Sequence, residues 1–160
     1  MILSAQTIRR MCEGEAPLLS PFAERTQYQC TSYGLSPAGY DLRLDLGNPA
    51  IMDHWLAPGE FLLAATLERF IMPPNVIARV HDKSTWARRG LSCYNTVIEP
   101  GWRGFLTLEL INHGPNSIHL HWGAGIAQVV FERLDEPTEE PYPEYGKYQD
   151  QQAGPVGPRG

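Results

Sequence analysis

The stretch "FLTLELINHGPNSIHLHWGAGIAQVVFERL", residues 105–134, decides the fold class. It holds three runs in which apolar and polar side chains alternate: "FLTLELIN", "SIHLHWG" and "IAQVVFERL". Alternation at period 2 marks a strand with one buried face. The runs are separated by "HGPN" and "GAG", whose Gly and Pro end strands and make turns. Regular short strands with such punctuation predict an all-β sandwich or barrel.

The same reading extends upstream. "YDLRLDL" places Leu42, Leu44 and Leu46 on one face and Asp41, Arg43 and Asp45 on the other. "TSYGLSPAG" before it reads as turn chemistry. "NVIARVHD" is a further strand, "EAPLLSPF" a short extended segment, and "LSCYNTVIEPGWRG" an extended segment with a turn. "EFLLAATLERFIMP" is too apolar to show a period. Two short helices are predicted. One is "SAQTIRRMCE", with Ser4 as N-cap and Ile8, Met11 and Cys12 at helical spacing. The other lies near residues 84–89 in "KSTWARRG", with Gly90 as its stop.

From Pro137 the character changes. "PTEEPYPEYGKYQDQQAGPVGPRG" carries one aliphatic Val among many Pro, Gly, Glu and Gln, and cannot build a core. The chain therefore divides into a β domain, residues 1–136, and a C-terminal arm, residues 137–160. The arm is either disordered or orders on something else.

Composition limits the function. The chain has 160 residues, enough for one domain with a sizeable core. Its net charge of −5 argues against a protein that coats DNA or RNA, though a few local Lys and Arg can still hold a small anion. No apolar run approaches a membrane span, and "MILSAQTIRRMCEGE" lacks a signal-peptide layout. Cys12, Cys30 and Cys93 are far apart and form no C-x-x-C pair, which suggests neither a disulfide framework nor a thiolate zinc site. A reducing cytoplasm fits this pattern best.

Glu109 raises the sharpest question. If Leu106, Leu108 and Leu110 face the core, Glu109 shares the other face with Phe105, Thr107 and Ile111. That face is then a second packed surface: a subunit contact, a pocket wall, or both. A carboxylate there is expected to have a raised pKa, suited to moving protons near neutral pH. Pattern alone still favours a surface glutamate or an ion pair. In "DKSTWARRG", Lys83, Ser84 and Thr85 precede a helical turn, with Arg88 and Arg89 close behind. Such a group can hold phosphate. It can equally be a capped helix with solvated charges, and the Walker pattern is absent. His119 and His121 read as the outer face of a strand, although two histidines at i and i+2 can bind a metal. His54, His81 and His113 are assigned to turns.

Taken together these stretches resemble the dCTP deaminase branch of the dUTPase superfamily. "SYGLSPAGYDLRL" resembles the family's Ser/Gly-rich turn and Asp-hydrophobic-Arg-Leu strand. "KSTWARRGL" resembles its [RK]-S-[ST]-x-A-R-x-G segment, and "TVIEPGWRGFLTLELIN" its acid-Pro-Gly-Trp-x-Gly run ending in Leu-Glu. "GAGIAQVVFE" resembles the G-x-x-[IC]-x-Q-[VL]-x-F strand, and "GKYQDQQ" the C-terminal Lys-Tyr-x-x-Gln. The motifs keep the family's order from residue 2 to about residue 154.

The resemblance implies a distorted jelly-roll-like, dUTPase-type barrel and a homotrimer with active sites between subunits. It implies hydrolytic deamination of dCTP to dUTP and ammonia without zinc, with magnesium arriving on the triphosphate. By position, Glu109 matches the glutamate that shuttles the proton of the attacking water, and Arg88 the arginine that orients it. Lys83, Ser84 and Thr85 match a phosphate-binding triplet that reaches a neighbouring subunit's site. Glu99 matches the acid near the deoxyribose 3'-hydroxyl, and Thr96 lies where the backbone reads the base. Gln128, Tyr142, Lys147 and Gln151 match triphosphate contacts, the last three on the closing arm. "SCYNTVIEP" is two residues shorter than in enterobacterial-type enzymes, which leaves open the preference among dCTP, dUTP and a 5-substituted dCTP. A bifunctional dCTP deaminase–dUTPase and a catalytically silent nucleotide sensor also remain open, as does dTTP as an inhibitor.

Overall fold

The computed structural model describes residues 1–94 and 96–160. Asn95, in the segment expected to be extended, lies outside them. Among the described residues, twelve strands and two short helices follow one another. In order they are α1 (Ala5–Met11), β1 (Leu19–Ser20), β2 (Thr26–Tyr28), β3 (Thr31–Ser36), β4 (Gly39–Asp45), β5 (Asp53–Leu56) and β6 (Phe61–Ile71). Then come β7 (Val76–Asp82), α2 (Ser84–Ala87), β8 (Leu91–Cys93), β9 (Val97–Ile98), β10 (Arg103–Asn112), β11 (Ile118–His121) and β12 (Gly125–Arg133). The all-β expectation and both helices hold.

One curled sheet runs in the order β8-β10-β6-β4-β12-β7-β9, and β5 and β11 form a separate two-stranded ladder. Tyr40, Leu42 and Leu44 of β4, Val129 and Phe131 of β12, and Leu108 and Leu110 of β10 fill the interior. The long apolar run that showed no period is β6. It pairs with β10 on one side and with β1 and β4 on the other. A strand central in a sheet and packed on both faces has no solvent face to impose alternation.

Two local expectations are corrected, and the arm, left open from sequence, is found ordered. "TSYGLS" is strand β3, and the turn is confined to Pro37 and Ala38 between β3 and β4. His54 and His81 lie inside β5 and β7, not in turns. The arm is not free. Among the described residues, β8 pairs with Leu110–Asn112 of β10, and the edge of β10 nearer Arg103 is left to the arm. The arm takes that edge: Asp150 N donates to Arg103 O at 2.9 Å and Phe105 N to Gln151 O at 3.0 Å. It thereby shields an unpaired strand edge.

Candidate functional site

β10 and β6 are in register from Thr107↔Ala65 to Ile111↔Phe61, after an irregularity between Phe105 and Thr107. Leu106 N donates to Thr66 Oγ1 at 3.1 Å within that irregularity. Thr107 and Glu109 of β10 then share a face with Phe61 and Leu63 of β6. These four side chains form one wall of a cavity of about 530 Å³. Thr96, Val97, Ile98 and Glu99 line a second side, and Tyr142, Tyr148, Gln151, Val156 and Pro158 of the arm close a third. The face of Glu109 is therefore a pocket wall, one of the alternatives open from sequence. Phe61 and Leu63 of β6 join it on the cavity wall, and the register places Ile111, opposite Phe61, on the same face.

Burial in this mostly apolar cavity pushes the Glu109 carboxyl above its usual range, and a weak contact from Thr96 Oγ1 at 3.5 Å only partly opposes the shift. The same burial, with the Glu109 charge adding to it, lifts the Cys93 thiol to about 12. Cys93 is thus an inert neighbour and not a nucleophile.

The arm is fixed by a short series of hydrogen bonds. Tyr142 N donates to Pro100 O at 2.7 Å, Trp102 Nε1 to Tyr148 O at 2.7 Å, and Gln149 Nε2 to Gly101 O at 3.1 Å. Gln151 is buried, and its Nε2 donates to Thr107 Oγ1 at 2.6 Å. Lys147 is exposed and reaches Arg159 O at 3.4 Å.

A second polar cluster stands elsewhere on the sheet. Lys83 pairs with Asp41 and lies 3.4 Å from Ser32 Oγ. Gln128 Nε2 donates to Asp41 Oδ1 at 3.3 Å and to Ser36 Oγ at 3.2 Å. Ser84 and Thr85 begin α2 next to this cluster. Arg88, which caps α2, borders a depression that includes Trp55, Arg89 and His119.

The sequence-matched residues thus fall into two groups. Thr96, Glu99, Glu109, Tyr142 and Gln151 meet around the cavity. Lys83, Ser84, Thr85, Arg88, Gln128 and Lys147 do not line it. Within one chain, Arg88 does not lie beside Glu109.

Two features escaped the sequence reading. Phe61 and Leu63 were hidden in the run without a period. Glu68, in the same run, is fully buried and accepts from Arg43 through both carboxylate oxygens, at 2.7 Å from Nε and 3.0 Å from the backbone N. A lone carboxylate inside an otherwise apolar run was the available signal.

The curled sheet is shared with a known fold. EIAV dUTPase matches 79% of this chain and 98% of its own length, with a TM-score of 0.56 and 22% identity. The 2'-deoxycytidine 5'-triphosphate deaminase from Agrobacterium tumefaciens gives a TM-score of 0.64 at 20% identity, covering 83% of this chain and 47% of that one. The fold is dUTPase-like. The family described as dCTP deaminase-like matches residues 52–134. Proteins named dCTP deaminase from Campylobacter curvus and Chlamydia felis are each 36% identical, covering 91% of this chain and 91% and 92% of their own. The chain belongs to the dCTP deaminase-like family, and it is an enzyme.

Proposed function

We propose that this protein hydrolyses dCTP to dUTP and ammonia, with Glu109 as the proton shuttle. The observation that carries the reading is a half-buried carboxylate of raised pKa on the wall of a mostly apolar cavity of about 530 Å³. Glu109 accepts a proton from water as the water oxygen bonds to cytosine C4. It returns a proton to the exocyclic amine. The C4–N bond then breaks, ammonia leaves, and C4 becomes a carbonyl as the remaining water proton ends on ring N3. A carboxyl that must both accept and donate works best when its pKa lies nearer the operating pH than an exposed glutamate's does. No zinc enters these steps.

The triphosphate brings its magnesium as part of the substrate. The groups suited to it, Lys83, Ser84, Thr85, Arg88 and Gln128, lie off the cavity of their own chain. We infer that a neighbouring subunit supplies them, with Arg88 orienting the water, in a cytoplasmic homotrimer. Exposed Trp55, Phe61, Tyr94 and Val97 support such association. We assign the 3'-hydroxyl to Glu99, which lines the cavity. Tyr142, Lys147 and Gln151 close over the nucleotide.

The test is direct. Purified protein is incubated with dCTP, dUTP and 5-methyl-dCTP in the presence of magnesium, and dUTP, ammonia and pyrophosphate are assayed. Release of dUTP and ammonia from dCTP is expected. Pyrophosphate with dUMP would add a dUTPase step. Tight binding with no turnover would overturn the catalytic reading.

A further inference from the structure

The β5–β11 ladder carries a cluster that the deaminase chemistry does not use. β11 presents His119 and His121 at i and i+2, hence on one face. On the neighbouring strand Asp53 pairs in register with His121, and Trp55 with His119. Ile118 and Leu120 of the same strand are buried, so the histidine face is the outer one. Asp53 Oδ1 lies 2.5 Å from His121 Nδ1 and 3.4 Å from His119 Nε2. One donor atom from each of the three residues lies within 4.8 Å of the other two.

We propose that Asp53, His119 and His121 form a binding site for a late first-row divalent metal ion such as Zn²⁺. Two imidazoles and a carboxylate are the donor set that such ions accept, and hard cations such as Mg²⁺ and Ca²⁺ select oxygen instead. The spacing also suits the ion. Donors about 2.0–2.2 Å from a tetrahedral metal stand about 3.3 Å apart. The His119–Asp53 separation already matches this, and the His121–Asp53 contact needs to open by only about 1 Å. The ladder holds the donors on two paired backbones, which limits the ordering that binding requires.

Trp55 supplies an independent restraint. Its ring stacks on His119 with centroids 4.2 Å apart and planes 4° from parallel. That stacking fixes the imidazole plane, as an outer-shell partner does for a metal ligand. With three protein donors, the fourth position is left to water or an exogenous ligand. None of the three residues lines the Glu109 cavity, although His119 borders the depression that carries Arg88. The site is therefore separate from the Glu109 cavity of its own chain.

The experiment uses the full chain without a polyhistidine tag, stripped with chelator and titrated with Zn²⁺ by calorimetry. Co²⁺ absorption serves as a second probe. One ion per chain is expected, with d–d bands typical of four-coordinate Co²⁺. Binding at this stoichiometry is expected to be lost in His119→Ala/His121→Ala. Asp53→Asn, nearly isosteric and exposed, is expected to weaken it at least tenfold and to keep the fold if the double variant does not. Absence of stoichiometric binding by the wild type, or binding unchanged in these variants, overturns the site.

Discussion

Gln151 Nε2 donates to Thr107 Oγ1 at 2.6 Å, two residues along β10 from Glu109. The arm is thereby tied to the strand that carries the proposed catalytic carboxylate. Thr107 Oγ1 also accepts from Val156 N at 3.0 Å, so one hydroxyl anchors two points of the arm.

Docking of the arm depends on Gly104. Its φ of +145° is poorly suited to a side chain, and an added Cβ would lie 2.7 Å from Gln151 N. Gly104→Ala is expected to lift the arm from β10 while leaving the buried sheet intact. Amide exchange over residues 148–152 should accelerate at least tenfold, and apparent dCTP affinity should fall about tenfold, near 1.4 kcal/mol. Gln151→Ala removes one hydrogen bond and is expected to cost about threefold in affinity. Unchanged exchange and affinity in Gly104→Ala would show that the docking has no part in binding.

Glu109→Gln separates chemistry from binding. The amide cannot accept and return a proton, so kcat should fall by at least about 10³-fold while triphosphate binding persists. Stability should move the other way. The folded carboxyl titrates above its usual 4.5, so the folded state holds the proton more tightly than the unfolded chain. As pH rises through that window, the unfolded chain ionises first and the wild type loses stability. Above the window the full cost is present; below the usual value it vanishes. The variant is therefore expected to melt a few °C higher than wild type near neutral pH, with the gain disappearing in acid. Thermal melts across the pH range read both.

Alternation was enough to identify β10, β11, β12, β4 and β7, because each has one buried face. It failed for β6, which is packed on both faces, and therefore missed Phe61, Leu63 and Glu68. β5 was missed because "DHWL" is four residues long and is a strand only through its pairing with β11. That Glu109 lies on the face opposite the leucines was legible, but the pattern left open whether that face was a pocket wall or a subunit contact. The docking of the arm on its own chain was not, since it rests on a gap in the β8 pairing that no local pattern reveals.

Arg43 is the internal support of this architecture. It neutralises fully buried Glu68, and burial would otherwise drive the Glu68 carboxyl still higher. Arg43→Ala leaves that charge without its partner and is expected to cost about 3–5 kcal/mol in urea unfolding. Because the folded carboxyl binds its proton more tightly than the unfolded one, the defect should shrink as pH falls and Glu68 is neutralised. A loss independent of pH would mean that packing of the arginine stem, not its charge, matters.

The separation of Arg88 from the Glu109 cavity gives the last prediction. If a neighbouring subunit supplies Arg88, Glu109→Gln and Arg88→Ala are each inactive alone, yet they complement one another when co-expressed. A working site then needs an intact Glu109 from one chain and an intact Arg88 from another. Random mixing in a closed homotrimer leaves about a quarter of the sites intact. Activity near that fraction of wild type is the expected outcome. Activity no higher than either single variant, in assemblies shown by mass spectrometry to be mixed, would place both residues in one chain's site and refute the inter-subunit arrangement.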